Sequence, residues 1–333
     1  MKPYPLLFKP AFKKRLWGGS RIKEVFGYPD SPEYMGEAWV ASDQPEGQSL
    51  IINGEFSGES LGVLLEKSPK WFAEYKIEKF PLLIKILDAH DNLSVQVHPA
   101  DEYAQSNENG ASGKAECWYI IDAEQGAEII LGHKAKNRSE FIQLVKENKW
   151  AELLERVPAK AGDFFFIPSG TVHAVGKGIV LLEVQQNSDI TYRIYDYDRA
   201  GLDGKKRALH LEKALDVIDF QSTSYQPKPY TAEETGVAKT KLLSCQYFTV
   251  EKWLINGRHQ LGPFNVFLLI FIVHGQGELI YNGESMLLTK GMSMMIPAKM
   301  GKCQVMGKME MIVSHITIQE AGSSLDQYSS AFQ

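Results

Sequence analysis

Apolar and polar residues alternate strictly from Leu93 to His98: Leu93, Val95 and Val97 against Ser94, Gln96 and His98, with Pro99 closing the run. That period of two predicts a strand with one buried face. The opposite face carries Ser, Gln and His together, a set that suits ligation better than solubility. Apolar runs and further β patterns predict strands at 36–40, 82–87, 116–121, 128–131, 162–167, 180–185 and 191–197. Helical spacing of apolar residues appears in three places. One is 58–75, with a break at Pro69. Another is 137–156, opened by an Asn137/Glu140 capping box and with a break near Asn148. The third is 210–220, where Leu211, Ala214, Leu215 and Ile218 share a face. Residues 1–56 read as short strands and loops with turns near Gly18-Gly19 and Asn53-Gly54. Residues 221–240 are polar and broken by Pro227 and Pro229, and read as a linker or surface connection. From 241 to 318 the pattern is nearly all β, with turns expected at Asn256-Gly257, Gly275-Gln276-Gly277 and Asn282-Gly283.

The fold class is therefore mainly β with helical insertions. A short repeat divides it. Gly162 is followed by an apolar run ending in Ile167-Pro168, and Gly291 by one ending in Ile296-Pro297 at the same spacing. After the first copy come Gly170 and His173; at those offsets the second has Lys299 and Lys302. One strand-turn unit is used twice, once with a metal-type residue and once without.

Composition narrows the function. Hydrophobic content of 44% and charged content of 23% are those of an ordinary soluble globular protein. A formal net charge of −5 gives no global positive field for nucleic acid. Cys117, Cys245 and Cys303 are too few and too widely spaced for a disulfide framework or a zinc site, which suggests reduced thiols in a cytoplasmic protein. The proline-broken N-terminus lacks a signal-peptide core. The longest apolar run, 266–273, suits a buried strand and is too short to span a membrane.

The candidate chemistry gathers at Gln96, His98, Glu116 and His173. Two imidazoles, one carboxylate and one amide oxygen suit a divalent cation such as zinc, with a solvent position open. The other six histidines, at positions 90, 133, 210, 259, 274 and 315, read as packed or surface residues.

Gly162-x5-Pro168-x-Gly170-x2-His173 resembles the second signature of the cupins, small metal-holding β-barrels. The 93–99 stretch, Lys114-Ala115-Glu116 and Asn187-Ser188-Asp189 with Arg193 resemble type I mannose-6-phosphate isomerases, in their shorter bacterial form. The likeness runs from Trp17-Gly18 through Gly36-Glu37 to about Arg199; the C-terminal third fits the family's second, metal-free cupin. This implies two cupin-type jelly-roll domains, 1–230 and 231–333, only the first binding metal. It implies one zinc per chain on Gln96, His98, Glu116 and His173, and interconversion of mannose 6-phosphate and fructose 6-phosphate through a cis-enediol. Arg193 then stabilises the enediolate or grips the phosphate; otherwise it is a surface ion pair with Asp189 or Asp196. Lys114 becomes an acid/base or a sugar-hydroxyl contact; otherwise it is a solvated loop lysine. Ser94 faces the substrate. Asp189 and Glu183 contact substrate or orient the histidines, or are structural. Arg199 is a second phosphate cation. Long members carry a histidine where this chain has Gly113, so that residue cannot be the base here. The implied partner is a small phosphosugar, with no nucleic acid or membrane, in a monomer or weak dimer. The alternatives are a non-catalytic sugar-phosphate-binding cupin and a metal-dependent cupin oxygenase. The second usually needs a histidine-dominated iron site, against which Gln96 argues.

Overall fold

The computed structural model describes residues 2–73, 77–201, 204–221 and 226–317. Its central sheet is buried on both faces, because Leu82–Ala89 and Ile179–Gln186 are near-continuous apolar runs rather than alternating ones. Six antiparallel strands make this sheet, in the order Phe164–Ile167, Glu116–Ala123, Ile179–Gln186, Leu82–Ala89, Glu37–Ala41, Ala11–Lys13. A second sheet runs Tyr192–Tyr195, Val95–Val97, His173–Val175, Glu128–His133, Leu154–Pro158. Trp118, Ile120 and Leu181 from the first sheet meet Ile129, Leu131 and Val175 from the second, forming the core of a barrel. The helices Arg138–Lys146 and Leu211–Val217 cover its outer face, where Phe141 and Leu215 pack with Val95 and Val97.

The third sheet builds a second barrel around Trp253, Leu268, Ile270, Met294, Val305 and Met311. It backs onto the six-stranded sheet, where Phe248, Phe267 and Phe271 meet Ile84, Ile86, Cys117 and Val184. The strand Leu6–Lys9, although it starts the chain, pairs with Ser293–Ile296 in this third sheet. The two barrels thus share chain as well as a core.

The short repeat is visible in the backbone. Gly162 and Gly291 have φ of 89° and 86°. Their amides donate to Ile120 O and Ile272 O at 2.8 and 2.9 Å. Gly170 has φ of 87°, and at the same offset Lys299 adopts 55°. Ile167 pairs with Glu116, and Ile296 pairs with Leu268. Where the first barrel turns a carboxylate inward, the second places a leucine in an apolar interior. Leu268→Glu should therefore lower stability by about 3–5 kcal/mol, the scale of an uncompensated buried charge. An unchanged urea midpoint would mean that this interior already holds a cation partner.

Several expectations change. The helical segment 137–156 breaks near Asn148 as expected, at φ 55°, into Arg138–Lys146 and Trp150–Leu153. It stops before Arg156, because Leu154–Pro158 pairs with Glu128–His133 instead. The 58–75 segment contains Leu61–Lys67, capped by Ser60, and a 3-10 turn Pro69–Trp71; residues 74–75 lie outside the described residues. In the expected linker 221–240, residues 222–225 lie outside the described residues, while Tyr230–Glu234 and Val237–Ser244 are paired strands. Asn256-Gly257 and Gly275-Gln276-Gly277 make no turn. They lie inside the long strands Phe248–Leu261 and Leu268–Tyr281, where Gly257, Gly307 and Gly277 form one row. A Cβ on Gly277 would sit 2.3 Å from Met306 O, so glycine here permits close backbone approach within a sheet. Asn282-Gly283 is a two-residue hairpin, with φ of 51° and 83°.

Candidate active site

The strand Val95–Val97 sends both valines into the outer core and turns Ser94, Gln96 and His98 inward. Gln96 pairs with His173 on one side and Arg193 on the other. Paired neighbours on a sheet share a face, so the three project together toward the opposite sheet. From there comes Glu116, at the start of its strand. His98, Glu116 and His173 are fully buried, and one potential ligand atom of each lies within 4.8 Å of the others. His98 Nε2 is 3.4 Å and His173 Nε2 3.3 Å from the Glu116 carboxylate. The Gln96 side-chain amide nitrogen donates to His173 Nε2 at 3.3 Å.

These groups fit a cation. His98 Nδ1 donates to Ile190 O at 2.7 Å and His173 Nδ1 to Thr171 O at 2.8 Å. A carbonyl can only accept, so both Nε2 atoms are left as lone pairs facing Glu116. Glu116 Oε1 is buried without a hydrogen-bond partner. Burial, then the Lys114 ammonium, pushes the His98 pKa down to about 3, and burial also lowers that of His173. Burial opposes ionisation of Glu116, but the positive charge around it, that of Lys114 foremost, holds the carboxyl well below its usual range. Neutral imidazoles and an ionised carboxylate are the forms that bind metal.

Lys114 is buried, not solvated. Its Nζ lies 2.6 Å from Glu116 Oε2 and 3.0 Å from His98 Nε2. Above it opens a cleft of about 370 Å³, lined by Ser94, Gln96, Glu183, Asp189, Arg193 and Arg207 among others. The Arg193 side chain makes no hydrogen bond or ion pair among the described residues, and its buried Nε is unpartnered. The surface ion pair with Asp189 or Asp196 does not form. Arg199 does not reach the cleft: Asp196 holds it at 2.6 Å, and Asn92 O accepts from it at 2.5 Å. Arg207 stands there instead, its guanidinium on both oxygens of Asp196 at 2.7 and 2.5 Å. Neither Glu183 nor Asp189 orients a metal-type histidine, since backbone carbonyls take both Nδ1 protons.

Beside Glu183, the cleft floor holds residues that the sequence pattern does not single out. Trp39, Lys85, Glu183 and Trp118 form one row across four strands. Lys85 pairs with Glu183 at 2.7 Å, and the Trp118 indole donates to Glu183 at 3.3 Å. Glu37 accepts from Arg15 at 3.1 and 2.9 Å and from the Trp39 indole at 2.7 Å. Burial opposes the Lys85 charge, but Glu183 and Glu37 raise its pKa. The available signal was a lone lysine inside the apolar run 82–87, which reads simply as a buried strand.

A jelly-roll barrel with a buried His/Glu/His cluster beneath an arginine-lined cleft defines a metal-centre cupin suited to an anionic substrate. Comparison with known proteins makes this specific. Residues 6–114 match the family described as phosphomannose isomerase type I, catalytic domain, and residues 238–316 match the mannose-6-phosphate isomerase cupin domain. A mannose-6-phosphate isomerase from Bacillus subtilis (strain 168) is 45% identical, over 95% of this chain and all of that one. Another, from Streptococcus mutans, is 43% identical over 93% of this chain and 98% of its own length. The crystal structure of a mannose 6-phosphate isomerase from Bacillus subtilis superposes with a TM-score of 0.92 at 39% identity, covering 94% of this chain and all of that one. The chain belongs to the type I phosphomannose isomerase family of enzymes. Among the described residues no helix is long and apolar enough to cross a membrane.

Proposed function

We propose that the protein interconverts mannose 6-phosphate and fructose 6-phosphate with one bound zinc ion. The observation that carries this reading is the Lys114 ammonium, buried 2.6 Å from Glu116 at the closed end of a cleft whose wall presents the unpaired Arg193. Gln96 through its amide oxygen, His98 and His173 through Nε2, and Glu116 would hold the zinc. Bound there, zinc supplies Lewis-acid polarisation of a sugar oxygen. Mixed nitrogen and oxygen donors with a single carboxylate suit it, and an amide in place of a further imidazole favours it over an oxygenase iron.

The chain's own residues do the rest. Isomerisation moves a proton between C1 and C2 through a cis-enediol, which needs a positioned acid/base and a stabiliser for the developing oxyanion. Lys114 Nζ, as the amine, takes the proton from C2 and returns it to C1. Arg193 shares a cross-strand row with Gln96, and its guanidinium stabilises the enediolate oxygen. Ser94 contacts the sugar from the same strand face. Glu183 and Asp189 face the sugar hydroxyls, with Lys85 holding Glu183 in place. Arg207, splinted by Asp196, takes the phosphate.

Arg207→Ala is therefore expected to raise KM about 10- to 100-fold, the loss of a charged hydrogen bond of about 1.5–3 kcal/mol, with little change in kcat. An unchanged KM would remove Arg207 from the phosphate site. The function itself is tested by a coupled assay for fructose 6-phosphate formed from mannose 6-phosphate, with glucose 6-phosphate as competitor, and by elemental analysis. Absence of turnover, or iron without zinc, would sink the proposal.

A further inference from the structure

Lys114 does not stand on a strand, yet its ammonium is placed closely against two metal-type ligands. Its segment is tied down at each residue. Gly113 N donates to Asp101 Oδ1 at 2.7 Å, Lys114 N to Pro99 O at 3.0 Å, and Ala115 N to Gln186 Oε1 at 2.9 Å. Gln186 Nε2 donates in turn to Asp101 Oδ1 at 3.2 Å, and Gln186 N to Ala115 O at 3.1 Å. The Gln186 amide has one orientation that satisfies both ends, oxygen toward the Ala115 N–H and nitrogen toward the Asp101 carboxylate. Asp101 opens the helix Asp101–Asn107, just after His98-Pro99; Gln186 closes the strand that carries Glu183. Backbones meet closely here, since a Cβ on Gly113 would lie 2.5 Å from Asp101 N. That leaves no room for the histidine that long family members carry at this position. The Asp101 carboxylate also acts on the phenol of Tyr247, a residue of the C-terminal β unit, whose pKa burial and this carboxylate push up to about 12.

We infer that Asp101 and Gln186 are positioning residues: together they fix the Lys114 backbone beside the metal site, and so set the reach of its Nζ to the substrate and the rate of proton transfer, without themselves touching substrate or metal. The inference rests on Lys114 being the acid/base.

The test uses the full-length, zinc-loaded protein and the variants Asp101→Ala, Asp101→Asn, Gln186→Leu and Lys114→Ala, each measured for kcat, KM and zinc content. Misplacing a reacting group by about 1 Å costs up to roughly 100-fold, so Asp101→Ala and Gln186→Leu should lose about 10- to 100-fold in kcat. KM and zinc content should stay near wild type. Asp101→Asn should recover most of the loss, because its Oδ1 accepts the same two N–H groups. Should Asp101→Ala fail to fold, Asp101→Asn and Gln186→Leu preserve the contrast. Wild-type kcat in Gln186→Leu and Asp101→Ala, with Lys114→Ala inactive, overturns the positioning role alone. So does a loss that tracks zinc content or that asparagine does not restore. Full activity in Lys114→Ala instead overturns the acid/base reading beneath it.

Discussion

Glu116→Gln is expected to abolish metal binding and lower turnover by roughly 10³-fold or more, since Lewis-acid stabilisation is worth several kcal/mol. Glu116 is the one anion among the four proposed donors, and its Oε1 has no other partner in a fully buried site. Glutamine keeps the shape but removes the charge, while both Nε2 lone pairs remain. The substitution also strips Lys114 of its counter-ion, 2.6 Å away. The metal-free variant should then melt below the wild type as well. A ligand that binds only the native state stabilises it by about 4 kcal/mol at a thousandfold excess over Kd. Chelation should accordingly lower the Tm of the wild type and leave that of Glu116→Gln unmoved. Zinc retained at one equivalent with normal turnover would take Glu116 out of the metal site.

Which residues face one another along a single strand was legible in sequence; which strands meet was not. Ser94, Gln96 and His98 share a face because a period of two leaves no other arrangement, and they do so in the barrel. The loop delivering His173 was legible through Gly162 and Gly170, whose positive φ values suit glycine. Gln96 lying between His173 and Arg193 depends on non-local register, which no local pattern contains. Lys85 was hidden for a similar reason: its counter-charges Glu183 and Glu37 come from other strands, so its apolar neighbours alone gave the wrong impression of an uncharged strand. The choice between Arg199 and Arg207 is made by Asp196, which binds both and leaves only Arg207 on the cleft wall. Gly257 and Gly277 show a different limit. Asn-Gly and Gly-x-Gly look alike whether the chain turns or two long strands cross closely, and only the partner Gly307 separates the cases.

Lys114→Met should lower kcat by about 10²–10⁴-fold, the range for a positioned acid/base, while zinc content stays at one equivalent. Methionine keeps most of the apolar stem in a position that is only 4% exposed, so packing should survive. Zinc should be retained because the ammonium competes for the same atoms, standing 2.6 Å from Glu116 Oε2 and 3.0 Å from His98 Nε2. Removing it leaves those lone pairs to the metal alone. Lys114→Arg separates proton transfer from charge. Its guanidinium restores the positive charge but stays protonated at any working pH, so it cannot accept the proton from C2. If Lys114 transfers that proton, arginine should be nearly as slow as methionine, and exchange of the substrate's C2 hydrogen with deuterated solvent should stop in both. Arginine at wild-type rate would instead make Lys114 a contact for a sugar hydroxyl or the developing oxyanion, and the proton would have to travel through another group. Glu183 is the next candidate, a buried carboxylate on the cleft floor that Lys85 and Trp118 already hold in one orientation.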